Sequence, residues 1–239
     1  MTDRGRGALS QSPDRLGIGA SSLHWDGTRL HVEIDEGGAP PRFGRVRGRI
    51  TVEPRAVTGV ELPLTSDGAH VWRPFAPAAR ISVSLNLPGW DWEGEGYLDG
   101  NFGTRPFERD FDRWTWGRFP LPNGAAVFYE AERKEGADLA AAMRFRGDGS
   151  AEMMEAPPPV AELPGTLWRM KRWTRCDPGA EARVETTQLD APFYARSTVR
   201  TRIDGHETTG MHEAIDMRRW SSPVLRPMIA MRVPRRRKG

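Results

Sequence analysis

A chain of 239 residues, 38% apolar and 28% charged, can bury a substantial core, and nine tryptophans set it apart from disordered or linker sequences. Five positive charges of a net +3 fall in 232–239, leaving −2 for the rest, so the basic surface that nucleic-acid binding requires is not expected. The lone Cys176 rules out an intramolecular disulfide or a cysteine-cluster metal site, and the five histidines show no HxxxH or HExxH spacing, so no metal is expected.

No apolar run approaches the roughly 20 residues of a membrane span, and MTDRGRGALS does not read as a signal peptide. These features predict a reducing, cytoplasmic compartment and a protein that is soluble or peripheral to a membrane.

Along the chain, apolar and polar residues alternate at Phe43 to Val52, Arg80 to Leu87, Ala125 to Arg133 and Arg183 to Leu189, the period of half-buried strands. GEGYLDGNFG, Gly94 to Gly103, reads as an extended segment, with Tyr97, Asp99 and Asn101 on one face. Gly136 to Phe145 has helix-forming composition in LAAAM, but its short length and the flanking Gly136 and Gly147 favour a strand. Ala156-Pro157-Pro158-Pro159 and Leu163-Pro164-Gly165 form the one strong proline cluster, which predicts an N-terminal β domain over 1–158 and a C-terminal β domain over 159–239.

Tyr194 to Ile203 and His206 to Met217 flank Asp204-Gly205, a two-residue turn that accepts positive φ at both positions. Such a turn sets Ile203 opposite His206, Arg202 opposite Glu207 and Arg196 opposite Glu213, with two opposite-charge pairs on one face. The chain ends in a basic run, Arg235 to Lys238, which serves either as a solvated end or as an attraction to an anionic membrane surface. The predicted class is all-β, with antiparallel meanders and few helices.

Three dyads have strand spacing: His70/Trp72 in HVW, Tyr97/Asp99 in YLD and Trp114/Trp116 in WTW. Each places both members on one sheet face, supplying an acid, hydrogen-bonding groups and aromatic walls. Each also has a structural reading: tryptophans at period two fill cores, a histidine among aromatics is held by hydrogen bonds, and an aspartate after a tyrosine caps a turn through Asn101 and Gly103. Tyr194, Arg196, His212 and Glu213 belong to the C-terminal hairpin, where an Arg196–Glu213 pair fixes register, and Tyr194 or His212 can also line a binding cavity.

The segments SSLHWDGTRL, HVWRPFAP, GYLDGNFGTRPFERDFDRWTWGR, LDAPFYARS and GMHEAIDMRRW, in that order, resemble the carotenoid 1,2-hydratases, also called hydroxyneurosporene synthases, within a lipocalin-like superfamily. The likeness runs from about Leu16 to Pro234. It implies two lipocalin-like β units and cofactor-free addition of water to the terminal 1,2 double bond of an acyclic carotenoid. It puts the catalytic residues on the HxW and YxD dyads, here His70, Trp72, Tyr97 and Asp99. Trp114, Trp116, Tyr194 and His212 are candidates for contacting substrate from their strand and hairpin positions alone. The hydratases it resembles continue upstream with further aromatic-rich strands, so Met1 is expected to correspond to an internal position.

The chemistry agrees with that implication. Hydrating a trisubstituted alkene requires protonation at C2, leaving a tertiary cation at C1 for water to capture, so the reaction needs a carboxylic acid that stays protonated in apolar surroundings. Asp99 is the candidate acid, Tyr97 and His70 can orient it or the water, and Trp72 with Trp114 or Trp116 can face the cation. A carrier of an apolar ligand, or a polyene isomerase or cyclase, would use the same aromatic cavity without adding water. A water-insoluble substrate also implies a membrane surface as partner, met by the Arg235 to Lys238 run.

Overall fold

The computed structural model describes residues 6–37, 44–87 and 89–225, and within them the chain is almost entirely antiparallel β. The expected all-β class holds. The only α-helix there is one turn, α1 at Met217–Trp220, its start capped by the Asp216 side chain accepting from the Arg219 backbone N–H.

An eight-stranded sheet contains β1 (Leu9–Gln11), β2 (Arg15–Ile18), β3 (Ser21–Trp25), β4 (Leu30–Gly37), β5 (Arg45–Pro54), β6 (Leu62–Pro63), β7 (His70–Leu85) and β8 (Trp90–Gly103). Its order is β1-β2-β3-β4-β5-β7-β6, with β8 also paired to β7. A seven-stranded sheet contains β9 (Phe111–Leu121), β10 (Gly124–Arg133), β11 (Leu139–Arg146), β12 (Ala151–Met153), β15 (Arg183–Asp190), β16 (Tyr194–Ile203) and β17 (His206–Asp216), in the order β12-β11-β10-β9-β17-β16-β15. Two short strands, β13 (Val160–Leu163) and β14 (Arg172–Arg175), form a separate hairpin.

The chain divides into two compact units, one of Met1–Gly59 with Pro74–Asp99, the other of Val60–Arg73 with Gly100–Gly239. The division expected at 158/159 is not where they part. Residues on both sides of the proline cluster share one core, in which Phe119, Ala126, Phe128, Ala142 and Met154 are buried with Leu163, Cys176, Ala182, Val199 and Ile203. The prolines at 157–159 therefore turn the chain within a unit, and it is β7 and β8 that pass from one unit into the other.

In the first unit a small core of Val52, Ala76 and Ala79 is packed by Leu30, Ile50, Ile81 and Leu98. The alternation seen in Phe43 to Val52 has its cause here, since Arg45 and Arg47 pair with Asp35, and Arg49 with Glu33, on the polar side of β5. In the second unit, residues 139–146 form a strand rather than a helix, paired with β10 along their whole length.

The β16–β17 hairpin has the expected register, with Ile203 opposite His206, Arg202 opposite Glu207 and Arg196 opposite Glu213. Asp204 and Gly205 take φ of 54° and 79°, the positive values that a two-residue turn matched to strand twist requires. Both expected ion pairs form, at 3.1 Å for Arg202–Glu207 and 3.5 Å for Arg196–Glu213.

Candidate active site

The two faces of the seven-stranded sheet have different contents, and strand parity decides which candidate residue lies on which. Trp114 and Trp116 on β9 share a face with Tyr129, which pairs directly with Trp116, and with Ile215 and Glu213 on β17. Tyr194 belongs to this face through its pairing with Ile215, two strands and roughly 10 Å from Trp114. His212 does not. It pairs with Gly117 and Ser197, one residue out of step with Trp116, and so faces the other side, where Phe119 and Phe128 lie.

There His212 is buried, its Nε2 donating to the Trp173 carbonyl at 2.8 Å, and burial pushes its pKa down to about 4. It therefore lies on the face away from Trp114 and Trp116. It closes the packing of β14 on the sheet, as does buried Glu130, which accepts from Arg175 Nε at 2.7 Å and from the Trp173 indole.

Within the second unit, rings gather around Trp114. Its ring stacks with Tyr129 at 5.4 Å between centroids and 19°, and with Phe107 at 6.5 Å and 12°. Phe107 in turn stacks on His70 at 4.5 Å and 25°, with Phe111 5.4 Å from the same imidazole. Trp72 completes the group, 1% exposed, against Tyr129 at 5.7 Å and edge-on to Phe145 at 6.3 Å. The Tyr129 hydroxyl donates to Asn101 Oδ1 at 2.9 Å, which ties the end of β8 to this assembly. The structure thus brings His70, Trp72 and Trp114 together, with Trp116 two residues along β9 on the same face.

Tyr97 and Asp99 are half-buried on β8, and the two-residue period puts them on the same side of that strand as Asn101. Asp99 is the last residue of the first unit and Asn101 lies in the second.

His70 is fully buried at the start of β7, and its Nε2 lies 2.8 Å from Asp110 Oδ2. Arg105 grips Asp110 with both fork atoms, Nε to Oδ2 at 2.7 Å and Nη2 to Oδ1 at 2.8 Å, while its Nη1 reaches Asp67 Oδ2 at 2.7 Å. That grip holds the Asp110 carboxyl below the usual carboxylate range, with His70 adding to the effect. Asp67 in turn accepts from the Ala69 backbone N–H at 3.1 Å, so the network closes on the residue before His70. A Cβ added at Gly103 would lie 2.6 Å from His70 Nδ1, so glycine is what lets the chain pass that edge of the ring.

Asp110, Arg105, Phe107 and Tyr129 escaped the reading of the sequence. The 3₁₀ turn Phe107–Arg109 and the charges around it, RPFERDFDR, show no period that marks the one carboxylate reaching back to His70. Tyr129 had a findable signal, as one of only three tyrosines and set in an apolar strand.

Among the described residues no group of three His, Cys, Asp or Glu side chains is placed to hold a metal ion. A shallow concavity of about 350 Å³ in the first unit is lined by Arg15, Ser22, His24, His31, Glu33 and Arg49, a polar set unsuited to a polyene. Among the described residues no helix is long and apolar enough to cross a membrane, and the Arg235–Lys238 run lies outside them.

A family model described as carotenoid hydratase CrtC matches residues 1–239. The chain is 51% identical to an acyclic carotenoid 1,2-hydratase of Rhodobacter capsulatus and 50% identical to one of Cereibacter sphaeroides, in each case over 99% of this chain and 84% of the relative. A relative of the same name in Thiocapsa roseopersicina is 45% identical over 98% of this chain and 58% of its own length. Among solved structures, a chain from Nitrosomonas europaea assigned to AttH aligns with a TM-score of 0.53 at 13% identity, covering 87% of this chain and 72% of that one, a likeness of fold alone.

Proposed function

Because the chain belongs to the carotenoid hydratase family, we infer that it adds water across the terminal 1,2 double bond of an acyclic carotenoid, giving a tertiary alcohol at C1. The observation that carries this reading is the family match over residues 1–239, with His70, Trp72, Tyr97 and Asp99 all present at the HxW and YxD positions.

In the mechanism we propose, the Asp99 carboxyl gives its proton to C2, and the positive charge that develops at C1 is captured by water. Tyr97 orients the acid, His70 handles the water, and the aromatic assembly around Trp114 keeps bulk water from quenching the cation. No cofactor enters the reaction, since proton transfer and water capture need only an acid, an acceptor and an apolar wall.

The ring faces supply less than the acid. One cation–π contact contributes roughly 0.5–2 kcal/mol, or about 2- to 30-fold in rate. Trp72→Phe is therefore expected to slow hydration by no more than about 30-fold, with a loss of stability of about 1–2 kcal/mol because the ring is packed on Tyr129 and Phe145. Turnover and urea unfolding of the same preparation check both figures.

A polyene of this kind resides in a bilayer, so we place the protein in the cytoplasm and at the membrane surface. The Arg235–Lys238 run supports docking there, each charge attracted to anionic headgroups by about 1 kcal/mol. Incubation with an acyclic carotenoid followed by mass spectrometry tests the whole reading. A product heavier by one water is the expected result, while bound but unchanged carotenoid would make the protein a carrier, and an altered product of unchanged mass would make it an isomerase or cyclase.

A further inference from the structure

We propose that Asp110 is a positioning residue for the hydration step: it holds His70 in the tautomer whose Nδ1 lone pair takes the proton released when water adds to C1. The proposal rests on the hydratase reading, and it concerns the second half of the reaction, after the alkene has been protonated.

The geometry leaves little freedom. A carboxylate can only accept, so the 2.8 Å contact between His70 Nε2 and Asp110 Oδ2 puts the imidazole proton on Nε2 and the lone pair on Nδ1. The ring cannot turn over easily, since Phe107 is stacked on it at 4.5 Å and Phe111 packs at 5.4 Å. Asp110 is fixed by the two-pronged grip of Arg105, and Arg105 by Asp67, which is held by Ala69 N–H beside His70.

Nδ1 is the end of this network that no described residue engages. It is buried and has no hydrogen-bond partner among the described residues. A buried acceptor left without a partner is disfavoured unless something else engages it, and such groups concentrate where chemistry is done. Its edge of the ring meets Gly103, where any side chain would collide with Nδ1.

Each proton has a place in the step. Protonation of C2 leaves a cation at C1; the water oxygen forms the C1–O bond and becomes an oxonium ion with one proton too many. That proton moves to Nδ1, giving the alcohol and an imidazolium whose Nε2–H still donates to Asp110. The carboxylate stabilises this cation, and the proton then leaves to solvent, which also reprotonates the acid. No electrons are transferred and no other group is consumed. The opposite tautomer would present N–H to the water and could accept nothing.

Asp110→Asn keeps the size of the side chain but lets Arg105 bind the amide oxygen, turning the NH₂ towards His70 Nε2 and driving the ring proton to Nδ1. The expected result is a fall in kcat of about 10²- to 10⁴-fold with KM changed less than about threefold, a split that general loosening would not give. Nitrogen-15 NMR of histidine-labelled protein, with the His70 signal assigned by its loss in His70→Gln, should show Nε2–H in the wild type at neutral pH and a shift towards Nδ1–H in Asp110→Asn.

Wild-type kcat in Asp110→Asn overturns the proposal, as does a wild-type protein whose His70 carries its proton on Nδ1. The second test needs no variant at Asp110 to fold. If the wild-type protein gives no hydrated product yet shows the Nε2–H tautomer, it is the hydratase reading that fails and not the positioning of His70.

Discussion

Asp99→Asn is expected to lose hydration of an acyclic carotenoid by at least about 10³-fold while leaving the fold intact. An alkene carbon has no lone pair to attract a proton, so the barrier is dominated by delivery of that proton to C2, and an amide in place of the carboxyl has none to give. The substitution is nearly isosteric and falls on a half-buried strand position, which makes collapse of the structure a poor explanation for lost turnover. Urea unfolding and carotenoid binding by the variant, measured beside the wild type, separate chemistry from folding. Product formation at the wild-type rate would remove Asp99 from the role of acid, and loss of binding together with activity would move it to substrate positioning. The aromatic residues offer no substitute, since two ring contacts supply about 5- to 10³-fold between them and cannot initiate the reaction.

How much of this was legible in the sequence depends on whether the determining interaction is local. The β16–β17 hairpin was readable to the residue, because a two-residue turn at Asp204-Gly205 leaves one register and the charge pairs agree with it. Strand β11 was readable because glycines bound a segment too short for a stable helix.

The proline cluster misled for a physical reason: proline breaks strands equally well in a linker and in a buried connection, and only the shared core of Met154, Leu163 and Cys176 tells the two apart. His212 was partly legible. If Glu213 faces Arg196, then His212 faces the other way, but that the tryptophans of β9 lie on Glu213's side depends on the pairing of β17 with a strand almost 100 residues earlier. Asp110 was hidden in the same manner, its partner lying 40 residues back in the chain. Local pattern fixed the strands, while the assignment of faces came from pairings that no local pattern encodes.

The burial of His212 gives the fold a measurable property. The folded protein holds this histidine neutral, its pKa depressed to about 4 by burial, an effect that the nearby Arg172 charge strengthens and the bond to the Trp173 carbonyl partly opposes. Unfolded, the same side chain titrates near 6.5. Between those values the unfolded chain binds a proton that the folded protein does not, so this contribution to stability is complete above pH 6.5 and declines as pH falls towards 4. From pH 7 to 4.5 the expected loss from His212 is about 2–3 kcal/mol, a large share of a typical domain's stability.

Carboxylates held low by partners, such as Asp35 at about 2 beside Arg45 and Arg47, withdraw their support only at lower pH. His212→Gln keeps an N–H donor for the Trp173 carbonyl and removes the titration. Its unfolding free energy in urea should therefore be flatter than the wild type's between pH 7 and 4.5, even if it starts lower. Parallel pH profiles for the two proteins would mean that His212 takes up its proton in the folded protein over the same pH range as in the unfolded chain, and would overturn the assignment.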